Sequence, residues 1–193
     1  MRLFIAINFS EEVKDALCET IADLRAAALR GRYTARENLH LTLAFIGESS
    51  RAEDILDVME DVAADTALPA GTLEIALSGA GVFGGRGGDL HWVGVANTPE
   101  LKSLAARLAA ALRAEGFAVE KRRFTPHVTI GREVVLGAGG MGGTGGIGES
   151  EPADGAAVRL YPARMDAAGM SLMRSDRAGG KLVYTEIGFV PFT

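Results

Sequence analysis

The sequence predicts a chain of mixed strands and helices folded as two similar lobes, each offering one His-x-Thr strand to a cleft between them. Three observations carry this. Residues 38–47, NLHLTLAFIG, alternate as a half-buried strand does, with Leu39, Leu41 and Leu43 on one face and His40 and Thr42 on the other. The arrangement returns in PHVTIGR, where Val128 and Ile130 replace the leucines and His127 and Thr129 project together. An offset of 87 residues relates the two motifs, and it also carries residues 3–7 onto 90–94 and the helix start near Ser10 onto 97–98. Each half therefore runs strand, helix, connector, His-x-Thr strand.

Taken in order, residues 2–8 (RLFIAIN) are rich in β-branched and aromatic side chains and read as a strand. Ser10 is placed to cap a helix whose positive end is complemented by Glu11 and Glu12. Val13, Leu17, Ile21, Leu24 and Leu29 recur at helical spacing up to a stop at Gly31, and residues 33–37 connect to the first motif strand. After a turn at 47–50, Ile55, Val58, Met59 and Val62 predict an amphipathic helix over 51–66. Residues 72–83 read as extended with a bend at Gly79 and Gly81. The GGRGG run turns the chain into the strand LHWVGVA. Thr98-Pro99 starts a helix continued by Leu101, Leu104, Leu108 and Leu112 to Gly116. Residues 124–132 form the second motif strand, residues 137–148 are a glycine-dominated loop, and residues 170–174 and 181–189 flank Gly179-Gly180 as a hairpin.

Composition narrows the function. A chain of 193 residues suffices for one large domain or two small lobes. A net charge of −5 argues against wrapping a long nucleic-acid backbone, though not against gripping one phosphate or one RNA end. A single cysteine, Cys18, excludes an intramolecular disulfide and a multi-thiolate metal site, and its place in a helical pattern predicts a buried thiol. No secretion signal or membrane-length apolar run is evident, so a cytoplasmic protein without membrane association is expected.

Two of the three histidines thus occupy matching contexts. Two imidazoles across a cleft form a natural acid–base pair near neutrality, since one can be neutral while the other is protonated. Thr42 and Thr129 can donate hydroxyls to an anionic oxygen, and Arg132, at the end of the second motif strand, offers a planar fork suited to phosphate. These residue types point to chemistry on a small phosphate.

The paired motifs HLTL and HVTI resemble those of the 2H phosphoesterases. The opening RLFIAI, the runs ENLHLTLAFIGE and RFTPHVTIGR, and the closing SLMRSDRAGGKLVYTEIGF are similar more narrowly to the RNA 2′,3′-cyclic phosphodiesterases, also called 2′-5′ RNA ligase-like proteins. The resemblance spans nearly the whole chain. It implies a bilobal α+β fold of two antiparallel sheets flanked by helices, in one domain over residues 1–193 made of two intertwined lobes. It implies no metal, no cofactor, and hydrolysis of a terminal 2′,3′-cyclic phosphate to a 2′-phosphomonoester, with RNA ends or small cyclic nucleotides as partners. Carried over, His40 and His127 are the acid–base pair, and Thr42, Thr129 and Arg132 bind phosphate. His127 is assigned to activate water and His40 to protonate the departing O3′, an assignment that the equivalent contexts allow to be reversed. Tyr33 stands where the family leads one to expect tryptophan, and the loop at 137–148 is long for the family.

The remaining features are read as structural. His91 lacks a threonine partner and sits beside Trp92 on a core-like strand; Phe9 and Phe45 belong to the core more readily than to a stacking surface; Arg122 and Arg123 are surface charge. Two G-x-G-x-x-G matches, at 79–84 and 137–142, open no helix in a βαβ unit. Two alternatives to hydrolysis stay open: joining of RNA ends through a 2′-5′ linkage, and a non-catalytic RNA- or nucleotide-binding module, against which two titrating histidines argue. A monomer is the default expectation.

Overall fold

A computed structural model of the protein describes residues 1–66, 68, 71–121, 123–137 and 159–193. The glycine-dominated loop, apart from Gly137, and Arg122 lie outside the described residues. The chain runs β1 (Arg2–Asn8), α1 (Glu11–Ala27), β2 (Ala28–Tyr33), a 3₁₀ turn (Arg36–Asn38), β3 (His40–Glu48), α2 (Ala52–Asp65), β4 (Leu73–Phe83), β5 (Asp89–Val95), α3 (Pro99–Ala114), β6 (His127–Leu136), β7 (Arg164–Ala167), β8 (Gly169–Ala178) and β9 (Lys181–Pro191). Two antiparallel sheets result, ordered β3-β1-β8-β9 and β2-β6-β5-β4-β7. The α+β class and the paired sheets agree with the sequence expectation.

The offset of 87 residues survives as a structural correspondence. β1 answers to β5, α1 to α3, and β3 to β6, and in each sheet the motif strand pairs antiparallel with the strand that opened its half. The helices cross over. α1 leaves the first sheet and packs on β2 and β6 of the second, whereas α3 packs against β3 of the first, alongside α2. Capping explains where both helices begin: the Ser10 hydroxyl accepts from the Val13 amide at 3.4 Å, and that of Thr98 from the Leu101 amide at 3.2 Å. Their apolar stripes, Val13, Leu17 and Leu24 in α1 and Leu101, Leu104, Leu108 and Leu112 in α3, are fully buried. Each such leucine contributes about 1.5–3 kcal/mol of burial. One apolar cluster includes both stripes together with Leu39, Leu41, Val128 and Ile130, so the core is continuous across the two sheets.

Several expectations are corrected. α1 ends at Ala27, and Leu29, expected on its apolar stripe, is exposed on β2. Residues 28–33 are instead recruited as an edge strand by β6, a pairing between distant segments that overrides local periodicity. The second motif strand starts only at His127, because Pro126 has no amide to give a ladder, and it runs on to Leu136. β7 pairs with β4 and was not foreseen. Cys18 is half-buried rather than buried, with an Arg36 nitrogen 3.7 Å from its sulfur. Gly179 and Gly180 both have positive φ, as a two-residue hairpin turn matched to strand twist requires.

Candidate active site

The alternation of β3 sends Leu39, Leu41 and Leu43 into the core and leaves His40 and Thr42 on the opposite face. β6 does the same with Val128 and Ile130 inward and His127 and Thr129 outward. β3 and β6, the two strands that carry the His-Thr pairs, approach each other where the two sheets meet. Both imidazoles are oriented by the same device. His40 Nδ1 lies 2.8 Å from the carbonyl oxygen of Asn38, and His127 Nδ1 lies 2.8 Å from that of Thr125. A carbonyl can only accept, so each Nδ1 carries the proton and each Nε2 is the nitrogen left for chemistry.

The two halves then differ. His40 Nε2 is 3.0 Å from the hydroxyl of Thr42, a bond that the second motif does not repeat among the described residues. The His40 ring is enclosed by Phe4 at 4.8 Å and by Tyr184, edge-on at 5.2 Å. Burial pushes the pKa of His40 down, and the bond to the Asn38 carbonyl offsets this only in part. His127 is bordered by Phe83 at 5.9 Å and Trp92 at 6.2 Å, and Phe83 is itself exposed. Thr129 is fixed through its backbone, whose carbonyl accepts the hydroxyl of Thr34 at 2.7 Å.

Arg132 is exposed and makes no ion pair among the described residues. The strand is irregular here: Glu133 adopts φ 53°, the register with β2 and β5 shifts, and Glu133 itself pairs with Arg32. Such a bulge re-aims the side chains beside it. Arg132 from the second sheet and Arg2 from the first both stabilise the phenolate form of Tyr184 against the burial that raises its pKa. The guanidinium of Arg132 therefore stands within electrostatic reach of the ring that encloses His40, across the seam from its own strand.

Sequence reasoning missed Tyr184, Phe4 and Asn38. Asn38, 9% exposed, donates its side-chain amide to the Leu182 carbonyl at 3.0 Å while its own carbonyl holds His40, so one residue ties the last hairpin to the first histidine. Phe9 is core, but Phe45 is 45% exposed with the Arg2 guanidinium 5.0 Å above its ring. His91 is 5% exposed, as a structural histidine would be, although its Nε2 and the indole nitrogen of Trp92 find no partner among the described residues. Among those residues no cluster of histidine, cysteine and carboxylate could hold a metal ion, and no helix is long and apolar enough to cross a membrane.

The sequence profile of the 2′-5′ RNA ligase superfamily matches residues 13–179. An RNA 2′,3′-cyclic phosphodiesterase of Thermotoga maritima is 35% identical over 134 residues, covering 68% of this chain and 70% of that one. One of Escherichia coli is 33% identical over 137 residues, covering 68% and 72%. Among solved structures, TT0787 of Thermus thermophilus shares the fold, with a TM-score of 0.74 at 24% identity over 100% of this chain and 98% of that one. E. coli LigT complexed with 3′-AMP superposes with a TM-score of 0.71 at 26% identity, covering 100% and 98%. The match to the family profile embraces both His-x-Thr strands and most of the chain between its ends, and the protein belongs to the 2′-5′ RNA ligase superfamily.

Proposed function

We propose that the protein hydrolyses the 2′,3′-cyclic phosphate at an RNA end, or on a small cyclic nucleotide, to a 2′-phosphomonoester, using His40 and His127 as a metal-independent acid–base pair. The observation that carries this reading is the matched tautomeric arrangement: two Nδ1–H groups held by backbone carbonyls, which leave each Nε2 for chemistry, on two strands that approach each other. The names of the relatives support the substrate class.

In the proposed step, His127 Nε2 takes a proton from water as the water oxygen bonds to phosphorus. The P–O3′ bond breaks on the opposite side, and His40 Nε2 gives its proton to O3′. The products are the 2′-phosphomonoester and a free 3′-hydroxyl, and the histidines exchange protons with solvent to reset. Burial makes the imidazolium of His40 the stronger acid, suited to donation, and the negative charge of bound phosphate favours its protonation in the complex. Thr42, Thr129 and Arg132 would hold the non-bridging oxygens, where charge-assisted hydrogen bonds are strongest.

The test is to incubate the purified protein, in EDTA, with a short RNA ending in a 2′,3′-cyclic phosphate. The reading expects a 2′-phosphate product. A 3′-phosphate product would reverse the leaving oxygen, and a folded protein that binds the RNA without turnover would sink the enzyme reading in favour of a binding module.

A further inference from the structure

The face that carries His40 holds a second polar group that the acid–base chemistry does not use. Asn8 on β1 lies opposite His40 in the register, Ser171 on β8 opposite Ala6, and Glu186 on β9 opposite Met173. Cross-strand partners share a face, so this row crosses the sheet beside the histidine. Asn8 Nδ2 donates to Ser171 Oγ at 3.1 Å and to Glu186 Oε2 at 3.0 Å, and Ser171 Oγ donates to the same Oε2 at 2.6 Å. Ser171 is only 2% exposed, whereas Glu186 is open to solvent. A buried hydroxyl and an amide thus fix the carboxylate through one oxygen, and Oε1, which has no partner among the described residues, keeps its lone pairs for a ligand. The imidazole of His40 is perturbed by burial and by the Asn38 carbonyl, not by this charge, so Glu186 is not its partner.

An anionic acceptor in a cleft that receives a phosphate weakens binding unless it meets a donor. On the last nucleotide of a 2′,3′-cyclic phosphate end, O2′ and O3′ are both esterified, so the donors it offers lie on its base. We propose that Asn8, Ser171 and Glu186 form a base-reading subsite that selects a terminal nucleotide whose base bears an exocyclic amino group over one bearing uracil. The inference rests on the phosphodiesterase reading above. Adenine N6, cytosine N4 and guanine N2 can each donate to Oε1, as carboxylates accept from the cytosine amino group elsewhere. Uracil meets the carboxylate with a carbonyl on each side of its one N3–H, which sets acceptor against acceptor. RNA ends are read through such edges because their bases are unstacked and accessible.

The experiment measures kcat/KM for the four 2′,3′-cyclic mononucleotides with the wild-type protein and Glu186→Gln, and the binding of the same four to His127→Ala by calorimetry. The wild type is expected to favour the amino-bearing bases by about tenfold, the scale of one unmade hydrogen bond to a charged group. In Glu186→Gln the amide oxygen must take the place of Oε2 to keep the bonds from Asn8 and Ser171. Its NH₂ then points where Oε1 was, and the preference turns towards uracil. Equal kcat/KM for all four in the wild type, or a Glu186→Gln variant that scales all four alike, would overturn the subsite. If no cyclic nucleotide is turned over, the phosphodiesterase reading fails by itself, and base preference in binding to His127→Ala then decides the subsite separately.

Discussion

Asn38→Ala should weaken the fold and the catalytic site together. Its side-chain amide is buried and donates to the Leu182 carbonyl at 3.0 Å, bridging 144 residues of sequence. Removing it forfeits about 1 kcal/mol for the bond and leaves a carbonyl unsatisfied, for a total cost of about 1–3 kcal/mol. With a urea m-value of about 2 kcal/mol/M, the unfolding midpoint should fall by about 0.5–1.5 M. Tyr184, two residues beyond Leu182, encloses His40, and Asn38 itself supplies the acceptor that orients that imidazole. Small displacements of a reacting group cost as much as about 100-fold in rate, so kcat should drop measurably while the variant stays folded. Asn38→Asp sharpens the test. Its carboxylate would face the Leu182 carbonyl, which raises its folded pKa above the unfolded value of about 3.9. The destabilisation should then be greatest near pH 7 and relax as pH falls and the carboxyl gains a donor proton. Urea titrations at pH 7 and pH 5 with kinetics on the same samples read both effects. An Asn38→Ala protein with unchanged midpoint and kcat would refute the coupling, as would an Asp variant that gains no stability on acidification.

The site and its support carry three further predictions. Thr42→Val removes the hydroxyl 3.0 Å from His40 Nε2 at nearly constant volume, and should reduce kcat/KM for a cyclic nucleotide while thermal stability changes little. Because burial favours neutral His40 in the free protein while bound phosphate favours its charged form, binding of a nucleoside 2′-phosphate at pH 7 should take up protons and tighten as pH falls. Calorimetry in buffers of differing ionisation enthalpy reads this, and proton release would contradict it. Gly94 pairs with His127 across β5 and β6, and a Cβ there would come within 2.2 Å of the Ser78 carbonyl oxygen, so Gly94→Ala should cost about 1–3 kcal/mol, read by urea titration, and displace the second motif.

What was legible in the sequence was what strand alternation and helix caps encode locally. The leucine row of β3 fixed which way His40 and Thr42 project, and the repeat at 87 residues made the same statement for His127 and Thr129. Ser10, Thr98 and the Gly179-Gly180 turn announced their elements through capping and φ requirements. What escaped depends on which distant strands become neighbours. Tyr184 reaches His40 only because β9 closes a sheet that begins with β3, and Glu186 meets Asn8 for the same reason. Leu29 continues the helical spacing of α1, and only the edge of β6 turns residues 28–33 into a strand by offering them a ladder. The bulge at Glu133, directly beside Arg132, is a break in the strand that a periodicity of two does not foretell.

The central claim is that His40 and His127 act as one unit. Its most direct test compares kcat/KM on an RNA 2′,3′-cyclic phosphate for His40→Ala, His127→Ala and the double variant, each shown to be folded. The account predicts a loss of at least about 100-fold in each single variant and little more in the double, since groups acting in one step are not additive. A single variant that keeps wild-type kcat/KM, or a double loss equal to the product of the two single losses, would contradict it.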